Sequence, residues 1–281
     1  MTAAVQIEFG STEHRHALAK FFLDTHVDYV PEAIRWPALS ADALGKLTGL
    51  PFWQEAVATE NVTSNTVAAA AALERDPEVR KAIELQGFEE QRHARLLSKL
   101  TAHYRIAIET PPPFEPRELE TDFLFAGFGE CFDSFFAFGL FEIARKSGSF
   151  DAQLISIFEP VVQEEARHIL FFVNWVKYRR AQLPPWRRPL YRLKCGWIIL
   201  KQIASRAKTA RQMGRGSSDS AENFTLSARQ DLGTDITLHQ LLEVCLEESE
   251  RRMAGYDARL ARPRLVPTIA RWLYRILPAR L

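Results

Sequence analysis

Cysteine is scarce. Cys131, Cys195 and Cys245 are the only three in 281 residues, odd in number and widely separated. That pattern excludes a disulfide framework and the paired spacing of a structural zinc site, and no Cys-x-x-Cys pair is available to hold iron. Charge of one sign is also lacking: 36 Lys and Arg against 35 Asp and Glu leave a formal net charge of +1, which gives no reason to expect a nucleic-acid partner. The N-terminus has no basic stretch followed by a continuous apolar core, and no apolar run approaches membrane-spanning length. No secretory signal or spanning helix is therefore expected, and a cytoplasmic location follows by default. With 47% hydrophobic and 25% charged residues, the chain reads as one elaborated soluble domain over residues 1–281.

What the sequence does contain is one short phrase written twice, Glu89-Glu90-Gln91-Arg92-His93 and Glu164-Glu165-Ala166-Arg167-His168. A lone glutamate lies upstream of each, at Glu60 and Glu130. A carboxylate and an imidazole three residues apart project from one side of a helix, so two such helices and two single-glutamate helices can enclose a pair of metal ions. Four carboxylates balance two divalent cations, and two neutral imidazoles complete an oxygen-rich ligand set. The set Glu60, Glu90, His93, Glu130, Glu165 and His168 thus points to a dinuclear, di-iron carboxylate site. One Glu-x-x-His alone would be an ordinary accident of a charged helix face.

Spacing tests this set, because ligands on antiparallel neighbours must stand at equal height above the turn that joins them. Asp76-Pro77 reads as an N-cap followed by proline at the first helical position. Glu60 lies 16 residues before Asp76 and Glu90 lies 14 after, a mismatch of about 3 Å of helix rise. For a turn at Gly148, Glu130 lies 18 residues before and Glu165 lies 17 after, a mismatch of about 1.5 Å. The competing glutamates Glu55 and Glu142 would be displaced by about 10 and about 16 Å.

With these residues in view, the chain resembles the ferritin-like di-iron carboxylate superfamily over roughly residues 50 to 180. The acid-Glu-x-Arg-His form is most similar to the motifs of acyl carrier protein desaturases. It is less like those of bacterial multicomponent monooxygenases, and less still like the storage ferritins. The resemblance implies an all-α, ferritin-like four-helix bundle in residues 51–181, preceded by N-terminal helices in 1–50 and followed by a helical extension in 182–281. It also implies that the six residues are the ligands, with Glu90 and Glu165 as candidates to bridge the metals.

Helical periodicity over residues 11–29 and a start signal at Ser40-Ala41-Asp42 predict two helices before the bundle. The bundle helices are expected at about Pro51 to Arg75, Pro77 to Ile106, Arg117 to Lys146 and Phe150 to Arg180. Thr110-Pro111-Pro112-Pro113 would supply the long crossover. Residues 186 to 213 read as a basic helix, Gly214 to Ser220 as a linker and Thr237 to Gly255 as a final strong helix.

Around the ligands, Glu89 and Glu164 are nearby acceptors for the second nitrogen of each histidine, and Arg92 and Arg167 could clamp those carboxylates or a neighbouring helix; solvated faces are the equal alternative. Small residues one turn from the lone glutamates, among them Ala56, Thr63, Ser64, Ala126, Gly127 and Ser134, suit either an open cavity or close helix packing. The phenylalanines of the third helix suit a core or an apolar channel. Cys131 reads as a buried small residue. His14, His16, His26 and His103 have no matching ligand set, and His239, Glu243 and Glu247 read as a solvated surface before a second metal site. The arginine-rich tail from Arg259 to Leu281 suits packing back on the bundle, peripheral contact with a membrane surface, or a partner subunit such as a second copy in a homodimer. The basic segment Trp186 to Lys208 carries the same readings, an acidic electron-donor protein included.

The function expected is dioxygen activation by two iron ions, or a manganese and iron pair, to hydroxylate, desaturate or N-oxygenate a small, largely apolar organic substrate. Val161 stands where the aryl-amine N-oxygenases of the superfamily carry an extra histidine, which lowers the last option. A ferritin- or rubrerythrin-like protein that oxidises iron or reduces peroxide is the alternative, and a binding protein with a vestigial site is the third.

Overall fold

The computed structural model describes residues 7–50, 52–110, 114–213 and 236–276. Among them the regular structure is helical: α1 Thr12–Asp24, α2 Ala41–Gly49, α3 Trp53–Ala70, α4 Pro77–His103, α5 Leu119–Ser147, α6 Ala152–Gln182, α7 Arg188–Met213, α8 Leu238–Met253 and α9 Leu265–Ile276. The chain is all-α, as its periodicity predicts. Helix α1 stops at Asp24, and Val27 beyond it is exposed, not part of a longer helix to residue 29. Helix α3 ends at Ala70 and tightens into a 3-10 turn over Ala71–Leu73. The triple proline and the Gly214–Ser220 linker lie outside the described residues.

Helix boundaries follow local chemistry. The carboxylate of Asp76 accepts from the backbone N–H groups of Glu78 and Val79, and Pro77 occupies the first helical position. Gly148 closes α5 in the left-handed conformation at φ 64°, a geometry that side chains with a Cβ adopt only at a cost. Asp151 then caps α6 through the N–H groups of Gln153 and Leu154. The turns at Asp76-Pro77 and Gly148, from which the ligand heights are counted, thus stand where their sequence signals place them.

Helices α3, α4, α5 and α6 contact one another as the pairs α3/α4, α3/α5, α5/α6 and α4/α6. Helix α1 lies across α4 and α6, while α7, α8 and α9 pack on α5. The core runs from Phe22 of α1 through Val79, Ile83, Phe123, Phe171 and Phe172 to Trp175. Each such side chain stabilises the fold by about 1.5–3 kcal/mol through burial. Of the α5 phenylalanines, Phe123 lies in this core and Phe128 meets Phe172 edge to face at 5.1 Å, while Phe132 and Phe135 are buried against α8 and α9 and Phe138 among Ala166, Ile169 and Met253.

Gly127 resolves the choice between open volume and close approach. A Cβ at Gly127 would lie 2.3 Å from the ring of Phe172, so this glycine admits a neighbouring aromatic and no cavity. Gly139 does the same for Cys245 of α8, whose Sγ would stand 2.3 Å away. One expectation is corrected outright. Helix α5 is long and apolar enough to cross a membrane, but most of its apolar stretch is buried within the protein.

Candidate metal centre

Glu90 and His93 on α4, and Glu165 and His168 on α6, each bring a ligand atom within 4.8 Å of the others. Their i, i+3 spacing turns each pair inward from one helix face. His168 Nδ1 lies 2.8 Å from Glu90 Oε1, and His93 Nδ1 lies 3.2 Å from Glu165 Oε1 and 3.8 Å from Glu90 Oε2. Glu60 of α3 approaches the same His93 Nδ1 at 3.9 Å. Glu130 enters from α5, where its carboxylate feels those of Glu90, Glu165 and Glu60. Glu142, by contrast, is tied to Arg145 and Lys146 on its own helix, and Glu55 is exposed.

The donor atoms here are close yet unsatisfied. Both oxygens of Glu130, Oε2 of Glu60 and Nδ1 of both His93 and His168 are sealed from solvent without a hydrogen-bond partner. The short nitrogen–oxygen distances around the histidines do not follow the direction of a ring N–H bond. Orphaned buried donors and acceptors are costly, about 1–3 kcal/mol each. Such atoms gathered around the cluster of Glu90, His93, Glu165 and His168 suit a cation lodged among them, so the residues present fit a bound metal ion.

Electrostatics point the same way. Burial raises the carboxyl groups of Glu60 and Glu130 well above the usual carboxylate range, and for Glu130 the negative charges of Glu90 and Glu165 add to it. Burial opposes charge on His93 and His168, but the carboxylates around them outweigh it and hold both imidazoles well above their ordinary value. Burial disfavours the charged form of Glu90 too, yet the two imidazoles overcome it and push this carboxyl down. The metal-free site thus balances its charge with protons on His93, His168, Glu60 and Glu130, whereas metals require those donors proton-free.

The pH dependence follows in sign. Groups with raised values stabilise the metal-free fold below their ordinary unfolded values, and that stability is lost as pH rises through the raised ones. Metal binding strengthens over the same interval. The difference in melting temperature between metal-loaded and chelator-treated protein is expected to widen as pH rises from the ordinary imidazole value of 6.5 toward the raised values of His93 and His168. A difference that stays constant across this range would contradict the proton exchange.

Behind the ligands lies a layer whose crossing the sequence did not reveal. His93 Nε2 faces Glu164 Oε2 at 2.8 Å, and His168 Nε2 faces Glu89 Oε2 at 2.8 Å. Each histidine is oriented by the acid of the opposite helix, not by the one beside it in sequence. The arginines cross too: Arg92 donates to Glu164 at 2.5 Å and Arg167 to Glu89 at 3.0 and 3.2 Å. All four side chains are buried, which removes the reading of solvated faces. His26, expected to have no ligand set, is corrected as well. Its Nδ1 sits 2.5 Å from Glu89 Oε1, and it forms a compact trio with Glu89 and Glu164. Because arginines already hold both carboxylates, this trio supports the centre and does not offer another metal site.

The segment after α1 completes the layer. Arg167 donates to Thr25 Oγ1 at 2.9 Å and to the Phe22 carbonyl at 2.7 Å, while Arg92 donates to the Val27 carbonyl at 3.1 Å and lies 3.8 Å over the Tyr29 ring. Burial raises the Tyr29 hydroxyl to about 12, so it stays protonated beside Glu164 at 3.4 Å. Two further donors touch ligand carboxylates: Ser134 Oγ reaches Glu165 Oε2 at 3.2 Å and Gln86 Nε2 reaches Glu90 Oε1 at 3.4 Å. Both stand one turn from a lone or motif glutamate, a spacing that could have marked them. Cys131 belongs to the core packing, its thiol pushed up by burial, and is no part of the ligand cluster. Elsewhere His239 stacks on Tyr274 at 3.7 Å and Glu243 and Glu247 are exposed.

No family model, no curated protein and no solved structure matches this chain.

Proposed function

We propose that this protein is a dinuclear non-haem iron oxidoreductase on a ferritin-like four-helix bundle formed by α3 to α6. The observation that carries the reading is the convergence of Glu60, Glu90, His93, Glu130, Glu165 and His168 with orphaned donor atoms, braced by the paired Arg92–Glu164 and Arg167–Glu89 contacts. Two iron ions, or manganese with iron, would supply dioxygen activation when bound. The six side chains would hold them. Glu164 and Glu89 fix the tautomer and ring orientation of His93 and His168, so that each presents Nδ1 to the centre. The core around Phe171, Phe172 and Phe22 keeps water away from the buried side. Glu60 and Glu165 retain 20% and 16% of their side-chain exposure, which leaves one flank through which dioxygen and a small substrate could reach the site.

The reaction class proposed is oxidation of a small, largely apolar organic molecule by hydroxylation, desaturation or N-oxygenation, in the cytoplasm and with electrons from a donor protein. One observation favours a second reading, an iron oxidase or peroxide-reducing protein. Phe172 fills the space that Gly127 would otherwise leave open, and so removes one argument for a substrate cavity. Anaerobic loading with ferrous iron followed by mixing with oxygen tests the reading. The expected result is about two metals per chain and a transient visible absorption. Failure to bind more than a trace of metal would refute it.

A further inference from the structure

We propose that α7 docks the protein on the surface of an anionic lipid bilayer. Helix α7 is apolar on two opposite sides. Tyr191, Cys195, Ile198 and Gln202 form its inner stripe and are buried. Leu190, Leu193, Trp197 and Leu200 form the outer one, continued by Trp186 from the 3-10 turn Pro185–Arg187 that leads into the helix, at 58–70% exposure. Their spacing of four, three, four and three residues places them along one line of the helix. A helix apolar all round is ordinarily covered all round, and among the described residues nothing covers this side.

The charges beside the stripe say what does. Between Leu183 and Ser218 the sequence holds no Asp or Glu; Lys194 and Arg206 pair with Glu120 and Asp133 of α5, and Arg187, Arg188, Arg192 and Lys201 are the cations left to the outer side. Arg187 lies 4.6 Å over the Trp186 ring and Lys201 lies 5.6 Å over that of Trp197, so these cations flank the apolar line. Tryptophan and leucine on the outer face, with arginine and lysine at its margins, match the depth profile of a lipid interface, where apolar groups enter the acyl boundary and cations meet phosphates. A second copy of the chain fits poorly. Face-to-face α7 helices would oppose cations without an acid to pair them.

The test is sedimentation of the full chain with vesicles of phosphatidylcholine alone and of phosphatidylcholine with phosphatidylglycerol. The expected result is binding to the anionic vesicles about tenfold tighter than to the neutral ones. Binding should fall at least about tenfold in Leu193→Ser/Trp197→Ser and in Arg192→Glu/Lys201→Glu. These residues are on the surface, and an unchanged circular dichroism spectrum and metal content would show that the variants fold. Absence of vesicle binding, equal binding to both vesicle types, or unchanged binding by the folded variants would overturn the proposal. So would a concentration-dependent dimer of the wild-type chain that Leu193→Ser/Trp197→Ser dissociates in place of a vesicle effect.

Discussion

Alanine at Glu90 or at His168 is expected to lower bound metal from about two equivalents to well under one, while alanine at Glu55 leaves the content unchanged. The reason lies in how the donors share the site. Glu90 sits between both imidazoles, 2.8 Å from His168 Nδ1 and 3.8 Å from His93 Nδ1, so its loss removes a neighbour common to both halves. His168 is fully buried and held by Glu89 from behind. Glu55 is exposed on the first turn of α3, one residue more than a turn from Glu60. Elemental analysis of the three purified variants after equal loading decides the matter. Equal loss of metal in all three would remove Glu90 and His168 from the site.

The second large effect concerns stability. Replacing Arg92 with methionine leaves Glu164 buried without its guanidinium, and a destabilisation of about 3–5 kcal/mol is expected in the metal-free protein. Arg167→Met should cost a similar amount through Glu89, which burial alone would make hard to ionise but which His168, Arg167 and His26 together hold down at about 2. Surface ion pairs make a useful contrast. Arg271 to Glu250 joins two exposed side chains, and Arg271→Met should change stability by less than about 1 kcal/mol. Chemical denaturation of the three variants measures the difference. Comparable small losses in all of them would mean that the crossed pairs contribute no more than a solvated contact does.

Much of the fold was legible because local signals mark helix ends. Asp76-Pro77 and Gly148 each encode their turn in side-chain chemistry or backbone conformation, and the heights of Glu60, Glu90, Glu130 and Glu165 follow from counting residues from those turns. The crossed layer was not legible. Nothing in the order Glu89, Arg92, His93 tells whether an acid serves its own helix or the facing one, because helical spacing fixes direction but not partner. His26 was invisible for a related reason: it meets Glu89 across 63 residues of chain, from just past the end of α1 at Asp24, in a stretch whose periodicity reads as continuing the helix. Gly127 gave the right signal of unusual space requirements, but only the packed neighbour reveals that Phe172 takes that space.

The carbonyls of Phe22 and Val27 and the hydroxyl of Thr25 sit at the distal ends of the two guanidinium groups, and the Thr25 contact spans 142 positions. Ring closures of that length are among the slower events of folding, since their entropic cost falls due before any contact repays it. During synthesis α4 can hold Val27 and His26 first, while Thr25 and the Phe22 carbonyl must wait for Arg167 to emerge. The cluster of Glu90, His93, Glu165 and His168 is complete only once α6 has joined α4, so its last brace forms late.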